Sequence, residues 1–306
     1  MSMANNSKSL NEMINEVVKS NMSRRAKVDA LIKLGIQANE VSFVLPAVQH
    51  TAGSKAFKYT FGVEIETVGL NHANFFEAAR IRGLEVMNHM HAYAGCHVDV
   101  PSFKLVPDGS VMGLNAAECV TPALDGTAKG FDALKACCNS LVENGAGVNG
   151  SCGLHVHIGA ANLTDEAYIN VFKNYKMLEN VIDSFLAPSR RNSRWCKSIR
   201  NYDFGRCTTK ADVLNEMNDD RYHKVNPCSY GRHQTIEFRQ HQGSVNFTKI
   251  KMWVTFCAKL VAYSTKNVIE GTINTIDEIP FLTAKEKAFF EGRKAAVNGN
   301  RDREAA

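Results

Sequence analysis

The stretch from Phe61 to Val68 is the feature that most constrains the fold of this chain. Its sequence, FGVEIETV, alternates apolar residues with glycine and glutamate and is rich in β-branched residues, which predicts a strand. Side chains at i and i+2 share a face, about 7 Å apart, so Glu64 and Glu66 leave the same side of a strand whose other side is apolar. Such carboxylates repel each other unless a proton or a cation lies between them. The stretch fits either an antiparallel strand with one face in water or a site for an ion such as Mg²⁺.

Composition limits the class of protein more than its function. The 306 residues suffice for one large domain or two smaller ones, and 44% hydrophobic and 22% charged residues are typical of a soluble globular protein. The net charge of +5 favours an anionic partner only weakly. The nine cysteines include no Cys-x-x-Cys pair, which favours reduced thiols. The N-terminus is polar and no apolar run has membrane-spanning length, so we expect a soluble, cytoplasmic protein.

Residues 1–50 differ in pattern from the rest of the chain. Ser9 is placed to cap one short helix, and a second is predicted from Ala26 to Leu34. We interpret residues 1–50 as a helical appendage, residues 56–296 as the main domain and residues 297–306 as a disordered tail. The basic residues between the two helices leave nucleic-acid binding by a helix-turn-helix as a minor alternative.

A second acidic strand is predicted further along the chain. Residues 97–106 alternate as a strand and end in the turn sequence Pro-Asp-Gly-Ser, where Asp108 is either a plain turn residue or part of a site. Residues 117–121 form a short strand that carries Glu118 and stops at Pro122. Helices are predicted over residues 71–83, 127–143, 163–186, 246–264 and 285–294.

The next strand, residues 152–159, carries a His-x-His pair. Leu154, Val156 and Ile158 form its apolar face, so His155 and His157 share the other face. Two imidazoles at this spacing can converge on one metal ion, although single histidines are usually structural. Glycines on both sides of the pair allow a ligand or another chain segment to approach the strand closely.

The strand predicted over residues 235–241 is the third to place polar residues at i and i+2. Its strict alternation puts Glu237, Arg239 and His241 on one face. An arginine-rich segment, with Arg190 and Arg191 in a loop, lies earlier in the chain. It is either a solvated surface or a binding site for phosphate or carboxylate, whose geometry guanidinium groups match.

Taken together, these strands place seven polar side chains opposite apolar stripes: Glu64, Glu66, Glu118, Glu237, His155, His157 and Arg239. One sheet that carries all of them on one face explains the pattern. This many oxygen ligands favours Mg²⁺ or Mn²⁺ over a single Zn²⁺. Two or more such ions beside arginines form a site suited to nucleotide phosphates and phosphoryl transfer.

The order of these motifs resembles the amidoligases, which belong to the carboxylate-amine ligase superfamily together with glutamine synthetase and gamma-glutamylcysteine ligase. The resemblance extends from Lys58 to Lys266. The motifs that carry it are Gly-x-Glu-x-Glu at 62–66, Asp-Gly-Ser at 108–110, Glu-x-Val-Thr-Pro at 118–122, Cys-Gly-x-His-Val-His at 152–157 and Thr-Ile-Glu-Phe-Arg-Gln-His at 235–241.

The resemblance implies an α+β fold similar to the catalytic domain of glutamine synthetase, a curved antiparallel sheet backed by helices. It also implies that ATP and Mg²⁺, or Mn²⁺, serve to phosphorylate a carboxylate. An amine then displaces phosphate from the acyl phosphate to leave an amide. The substrates would be a small-molecule or peptide carboxylate and an amine, with no membrane partner.

Site residues are implied by the resemblance residue by residue. Glu66 and Glu118 would hold one ion, and Glu64, His155 and Glu237 the other. Arg239 would neutralise the γ-phosphate. The remaining predicted site residues would contact the phosphates, the substrate carboxylate or the metal ions: Arg190, Arg191, Arg221 or Arg232, His157 and Asp108. Asp108 is a candidate to replace a further carboxylate of glutamine synthetase, and His157 is a ligand, a nucleotide contact or a support for a ligand.

Two other classes of function remain open from the residues alone. A zinc-dependent hydrolase would use His155, His157 and a carboxylate and would need no ATP. A non-catalytic binding protein would use the same scaffold without either cofactor. The number of carboxylates favours the ligase over the hydrolase.

Overall fold

The computed structural model describes residues 8–22, 24–36, 57–87, 90 and 101–299. In this part of the chain seven strands form one sheet, in the order β2-β3-β1-β5-β7-β6 with β4 also beside β1. All pairings between these strands are antiparallel, as predicted. The strands are β1 Thr60–Thr67, β2 Lys104–Val106, β3 Ala117–Val120, β4 Leu124–Asp125, β5 Gly153–Gly159, β6 Val225–Asn226 and β7 Thr235–Gln242.

Helices account for most of the remaining described chain, and the α+β class is confirmed. Thr127, Thr164 and Asn246 each accept a hydrogen bond from a backbone N–H in the first turn of the helix that begins after them, which satisfies a donor that the helix itself leaves unpaired. The α-helices are α1 Leu10–Lys19, α2 Arg24–Lys33, α3 His72–Ile81, α4 Ala128–Glu143, α5 Asp165–Phe185, α6 Lys210–Glu216, α7 Ser229–His233, α8 Phe247–Ser264 and α9 Ala284–Gly299.

Aromatic contacts pack the helices against one face of the sheet. Phe61 of β1 stacks on Phe131 of α4, with ring centroids 5.1 Å apart, and Phe238 of β7 lies 5.9 Å from Tyr175 of α5. These side chains are buried, as is Trp253 of α8. Burial of each stabilises the fold by about 1.5–3 kcal/mol. The apolar stripes predicted from sequence therefore form the core, and the opposite face of the sheet is left for polar side chains.

Register aligns the polar side chains of that opposite face in rows. Residues directly opposite each other in neighbouring strands point to the same face of a sheet. The rows are Gly62–His157–Glu237, Lys104–Val120–Glu64–His155 and Val106–Glu118–Glu66. We call this surface the site face.

A β-bulge interrupts the pairing of β5 with β7. β7 carries one extra residue between its pairings with Leu154 and Val156, and an extra residue reverses the face of the side chains beyond it. His241 therefore lies opposite Leu154 and packs against Trp253, with ring centroids 5.6 Å apart. The prediction that His241 shares a face with Arg239 is wrong.

The periphery of the fold agrees with the predictions in part. Ser9 caps α1 in a capping box, and α2 buries Val28 and Leu31 against apolar residues of α1 and Ile81 of α3. The strand predicted over residues 97–106 is a strand only from Lys104; residues 97–100 and residues 37–56 lie outside the described residues. α9 extends to Gly299, three residues into the predicted tail, and residues 300–306 are not described. None of the described helices is both long and apolar enough to span a membrane.

Candidate active site

Glu64, in the middle of β1, contacts both histidines of β5. Its Oε2 lies 2.8 Å from Nδ1 of His155, and its Oε1 lies 3.2 Å from Nε2 of His157. The other nitrogen of His157, Nδ1, is 2.9 Å from the hydroxyl oxygen of Thr235, which fixes the orientation of the ring. The predicted carboxylate and imidazole groups therefore meet at one point of the site face.

A second group of carboxylates lies next to Glu64 on the site face. Glu66 accepts a hydrogen bond of 2.6 Å from the backbone N–H of Gly153. Asp108 accepts hydrogen bonds from the backbone and hydroxyl groups of Ser110, which hold its side chain in the turn before β3. Glu66, Asp108 and Glu118 each offer one oxygen within 4.8 Å of the others. The turn residue Asp108 is thus part of the cluster.

Glu237 of β7 completes the cluster on its far side. It accepts hydrogen bonds from Nη1 of Arg239 and, at 2.5 Å, from Nδ2 of Asn226, and it lies 3.5 Å from Nδ1 of His155. Asn226 belongs to the two-residue strand β6, which is too short to show periodicity in the sequence. It is a contact of the site that sequence analysis missed.

Two arginines border these carboxylates. Arg190 is only 6% exposed and donates a hydrogen bond of 2.7 Å to the backbone oxygen of Arg239. A Cβ added to Gly153 would lie 3.1 Å from Nη2 of Arg190 and 3.0 Å from Nε2 of His155, so both side chains lie beside Gly153. Within the described residues, Nε of Arg190 and Nε of Arg239 are buried and have no hydrogen-bond partner. A buried unpaired donor costs about 1–3 kcal/mol, and an anionic ligand would remove that cost.

The other predicted arginines occupy different surroundings. Arg191 donates hydrogen bonds to the backbone oxygen of Leu186. Arg221 is exposed and lies over the ring of Tyr222, and Arg232 is exposed on α7. Of the arginines that sequence analysis proposed for phosphate binding, Arg190 and Arg239 are the two that the described contacts place beside the carboxylates.

The carboxylates of the cluster differ in the direction in which their pKa values are shifted. Burial by itself raises the pKa of Glu64, but hydrogen bonds with His155 and His157 hold that pKa well below its usual range. Burial, followed by repulsion from Glu64 and two further carboxylates, raises the pKa of Glu118 well above its usual range. Burial also raises the pKa of Glu237, but the charge of Arg239 and then of the histidines outweighs burial, so that this pKa lies below its usual range. The repulsion that contributes to the raised pKa of Glu118 is one that a cation would relieve.

The donor atoms fall into three overlapping groups that fit metal ions. In each group one atom from every residue lies within 4.8 Å of the others: Glu64–His157–Glu237, Glu64–Glu118–His155 and Glu66–Asp108–Glu118. Glu64 and Glu118 each belong to two groups, and the two histidines belong to different groups. Donor sets dominated by carboxylate oxygens suit Mg²⁺ or Mn²⁺ better than Zn²⁺.

A cavity of roughly 810 Å³ adjoins this cluster on the side of Gly62. Glu64 and His157 form one end, and its walls continue along the segment from β3 to β4 and past the sheet edge to α4. Lys104 lines it and is only 4% exposed. Sequence analysis assigned no role to Lys104; the signal available was a charged residue within the apolar stretch of β2.

Comparison with known proteins gives one strong match. The family model described as "Putative amidoligase enzyme" matches residues 58–261, which is more than half of the chain. No curated protein matches the chain. Among solved structures, the chain is similar to a bifunctional glutathione synthetase from Pasteurella multocida, with 12% sequence identity and a TM-score of 0.37 over 79% of this chain and 41% of that chain. The chain thus spans less than half the length of that protein, and a likeness this distant carries no argument. On the strength of the family match, the chain belongs to the amidoligase family.

Proposed function

We propose that this protein is an ATP- and Mg²⁺-dependent carboxylate-amine ligase that forms an amide bond through an acyl phosphate. The observation that carries the proposal is the position of two buried arginines beside a cluster of carboxylates and imidazoles: Arg239 is paired with Glu237 and Arg190 lies beside Gly153, and the Nε atoms of both lack partners among the described residues. Metal ligands and anion-binding groups side by side are what phosphoryl transfer from a nucleotide requires. Membership of the amidoligase family supports the same reaction class.

The donor atoms fit divalent ions, and they divide between two places. Glu66, Asp108 and Glu118 would hold one ion, and Glu64, His157 and Glu237 would hold another. When bound, the ions would offset the charge of the phosphates and of the reacting carboxylate, which otherwise repel each other. The raised pKa of Glu118, caused by burial and then by neighbouring carboxylates, is consistent with a ligand whose proton is released to solvent when a metal ion binds.

The arginines would bind the transferring phosphoryl group. Glu237 holds Arg239 by a hydrogen bond at Nη1, which leaves Nε directed away from that contact. Burial lowers the pKa of Arg239, but the charge of Glu237 more than offsets this, so the pKa lies above its usual range and the guanidinium stays charged. Arg190 and Arg239 can thus donate to oxygens of the γ-phosphoryl group as charge shifts during transfer.

The reaction balances in two steps. The γ-phosphoryl group moves from ATP to a carboxylate oxygen of the acid, which releases ADP and forms an acyl phosphate. The amine nitrogen then attacks the acyl carbon, the bond from that carbon to the phosphate oxygen breaks, and phosphate leaves as the nitrogen loses a proton. Water would hydrolyse the acyl phosphate, and the burial of Glu66, His155 and Glu237 limits its access to the cluster.

The antiparallel sheet backed by helices is consistent with a fold similar to the catalytic domain of glutamine synthetase, and we propose that relationship. The zinc hydrolase is less well supported, because the metal-binding groups formed by the described residues place His155 and His157 in different groups. A non-catalytic protein that binds an anion would also explain the buried, unpaired donors of Arg190 and Arg239, but it gives no reason for three groups of metal-binding atoms beside them.

The test is a trapping assay with Mg²⁺, ATP, a panel of carboxylic acids, and hydroxylamine as the amine. Hydroxylamine converts an acyl phosphate to a hydroxamate, so we expect hydroxamate and phosphate in equal amounts with the correct acid. Arg239→Lys keeps the charge but loses the planar fork, and should lower turnover about 10²–10³-fold. Glu286→Gln, which alters a carboxylate paired with Lys259 away from the site, should leave turnover unchanged. Stoichiometric zinc in a wild-type protein that neither binds Mg²⁺-ATP nor turns it over would contradict the proposal.

A further inference from the structure

We propose that the nucleoside part of ATP lies in the cavity above Gly62, and that position 62 is a glycine so that the nucleoside can lie directly against β1. The inference rests on the proposed function, since ATP is the phosphoryl donor there. It extends that function by assigning an occupant to the cavity that adjoins Glu64 and His157.

Within the described residues, neither the backbone nor the packing of the protein requires a glycine at position 62. Its φ is outside the left-handed region that favours glycine. A Cβ added there would lie 3.7 Å from Cβ of His157 and 4.0 Å from Oγ1 of Thr121, which are ordinary van der Waals contacts. Glycine inside a strand lowers stability relative to residues that have a side chain. Folding alone therefore favours a larger residue, and a ligand that approaches the strand explains the glycine.

The glycines of the neighbouring strand β5 show the contrast. A Cβ at Gly159 would lie 2.6 Å from Oγ1 of Thr60, and a Cβ at Gly153 would lie 3.0 Å from Nε2 of His155. Atoms of the protein itself thus explain both of these glycines. At Gly62 the space that a side chain would fill belongs to the cavity.

The cavity matches a nucleoside in size and lining. Its volume of roughly 810 Å³ is in the range of sites that hold nucleotide-sized ligands. Val120, Pro122 and Leu124 supply apolar wall, against which a base can pack. Glu64, at the other end, belongs to the proposed metal site, where phosphates would be held. A nucleotide site requires an apolar part for the base and a metal-binding part for the phosphates, and the cavity and the site face together provide both.

The order of groups along β1 favours the nucleoside, rather than the acid substrate, as the occupant of the cavity. Gly62, Glu64 and Glu66 succeed one another on the site face in steps of about 7 Å. Arg190 lies at the Glu66 end, beside Gly153, whose N–H binds Glu66. Along β1 the cavity, the metal-binding carboxylates and Arg190 thus occur in the order nucleoside, inner phosphates, γ-phosphate. Arg239, paired with Glu237 on β7, lies on the far side of β5 from β1. The acid meets the γ-phosphate at the arginine end, so the cavity at the Gly62 end is left to the nucleoside.

The test compares Mg²⁺-ATP binding and thermal stability in Gly62→Ala and Gly62→Val with the wild type. Titration calorimetry should show an unchanged or modestly raised Kd for Gly62→Ala and a Kd raised about tenfold or more for Gly62→Val, the size expected when methyl groups enter a filled site. Both variants should melt at or above the wild-type temperature. The matched control is Gly292→Ala in α9, where an added Cβ meets nothing within 4 Å: it should be stabilised and should bind Mg²⁺-ATP normally.

The outcomes separate this inference from the proposed function. Wild-type affinity in Gly62→Val would overturn the inference while the ligase proposal stands. Lower melting temperatures for both Gly62 variants would also overturn it, because the glycine would then be structural. If the wild type itself binds no Mg²⁺-ATP, the proposed function and the inference both fall.

Discussion

Glu64 is the residue on which the account of this site most depends. Its two oxygens face two imidazoles, one on each side, and it belongs to two of the three candidate metal groups. Although burial opposes ionisation, hydrogen bonds with His155 and His157 keep its pKa well below the usual range. An ionised carboxylate that is already oriented needs little reorganisation to bind a cation.

His241 shows what a sequence pattern cannot reveal about a single residue. Strict alternation in β7 predicts that it shares a face with Arg239, but the bulge between the pairings of Leu154 and Val156 turns it to the helices. A bulge depends on how two strands pair, and the periodicity of either strand alone does not predict that pairing. The same alternation predicted that Glu237 and Arg239 lie on the site face; Glu237 precedes the bulge and Arg239 is the first residue within it.

The position of His241 leads to a prediction on the pH dependence of stability. Burial, and then the positive charges around it, lower the pKa of His241 to about 3, whereas an unfolded histidine titrates near 6.5. Below about pH 6.5 the unfolded chain binds a proton that the folded chain does not, so stability falls with falling pH by roughly 1.4 kcal/mol per unit until the pH nears the folded pKa.

Urea unfolding at several pH values between 7.5 and 5 measures this effect. His241→Asn retains a donor near the position of Nδ1 but does not titrate, so its free energy of unfolding should fall less steeply over that range than the wild-type value. Parallel pH profiles for the two proteins would show that His241 is not the group responsible.

At the scale of elements, buried ion pairs join α5 to the edge of the sheet. Nζ of Lys224, next to β6, lies 2.8 Å from Glu179 and 2.6 Å from Asp183, and Lys224 and Glu179 are 0% exposed. The backbone oxygen of Lys224 accepts a hydrogen bond from the N–H of Arg239. The pairs therefore hold the helix next to the strand that carries the proposed phosphate-binding arginine.

Removing the cation of this network should be strongly destabilising. Lys224→Met leaves the carboxylate of Glu179 buried without its main partner, and loss of one member of a buried pair typically costs about 3–5 kcal/mol. Denaturant unfolding measures the loss. Adding Glu179→Gln to Lys224→Met should recover part of it, since the uncompensated charge is then gone; a single variant within about 1 kcal/mol of the wild type would contradict this role of Lys224.

Elements with a clear period were predictable, and short or irregular ones were not. β1, β5 and β7 alternate, and α4, α5 and α8 begin at capping residues visible in the sequence. β4 and β6 have two residues each, too few to show a period. Such strands form because of tertiary contacts. Sequence analysis therefore did not predict Asn226 as a site residue, although it donates a hydrogen bond to Glu237.

At the scale of the whole molecule, the order of the motifs predicted the family, whereas the sequence did not reveal the cavity. The resemblance predicted from Lys58 to Lys266 agrees with the family match to residues 58–261. It could be recognised because five spaced motifs in a fixed order form a pattern that a single sequence shows. The cavity is lined by segments as distant as β1, β2, α4 and α7. Only the folded chain brings these together, so neither the role of Gly62 nor the burial of Lys104 could be anticipated.

The most direct test of the account is to count the divalent ions that the site face binds. Mn²⁺ can replace Mg²⁺ at oxygen-rich sites, and its free and bound forms are distinguished by electron paramagnetic resonance. With ATP present, we expect two or more Mn²⁺ ions per wild-type chain, fewer for Glu64→Gln and Glu118→Gln, which each alter two of the candidate groups, and the wild-type number for Glu286→Gln. Unchanged Mn²⁺ binding in both site variants, or a wild-type protein that binds no Mn²⁺ and retains a single zinc ion, would contradict the account.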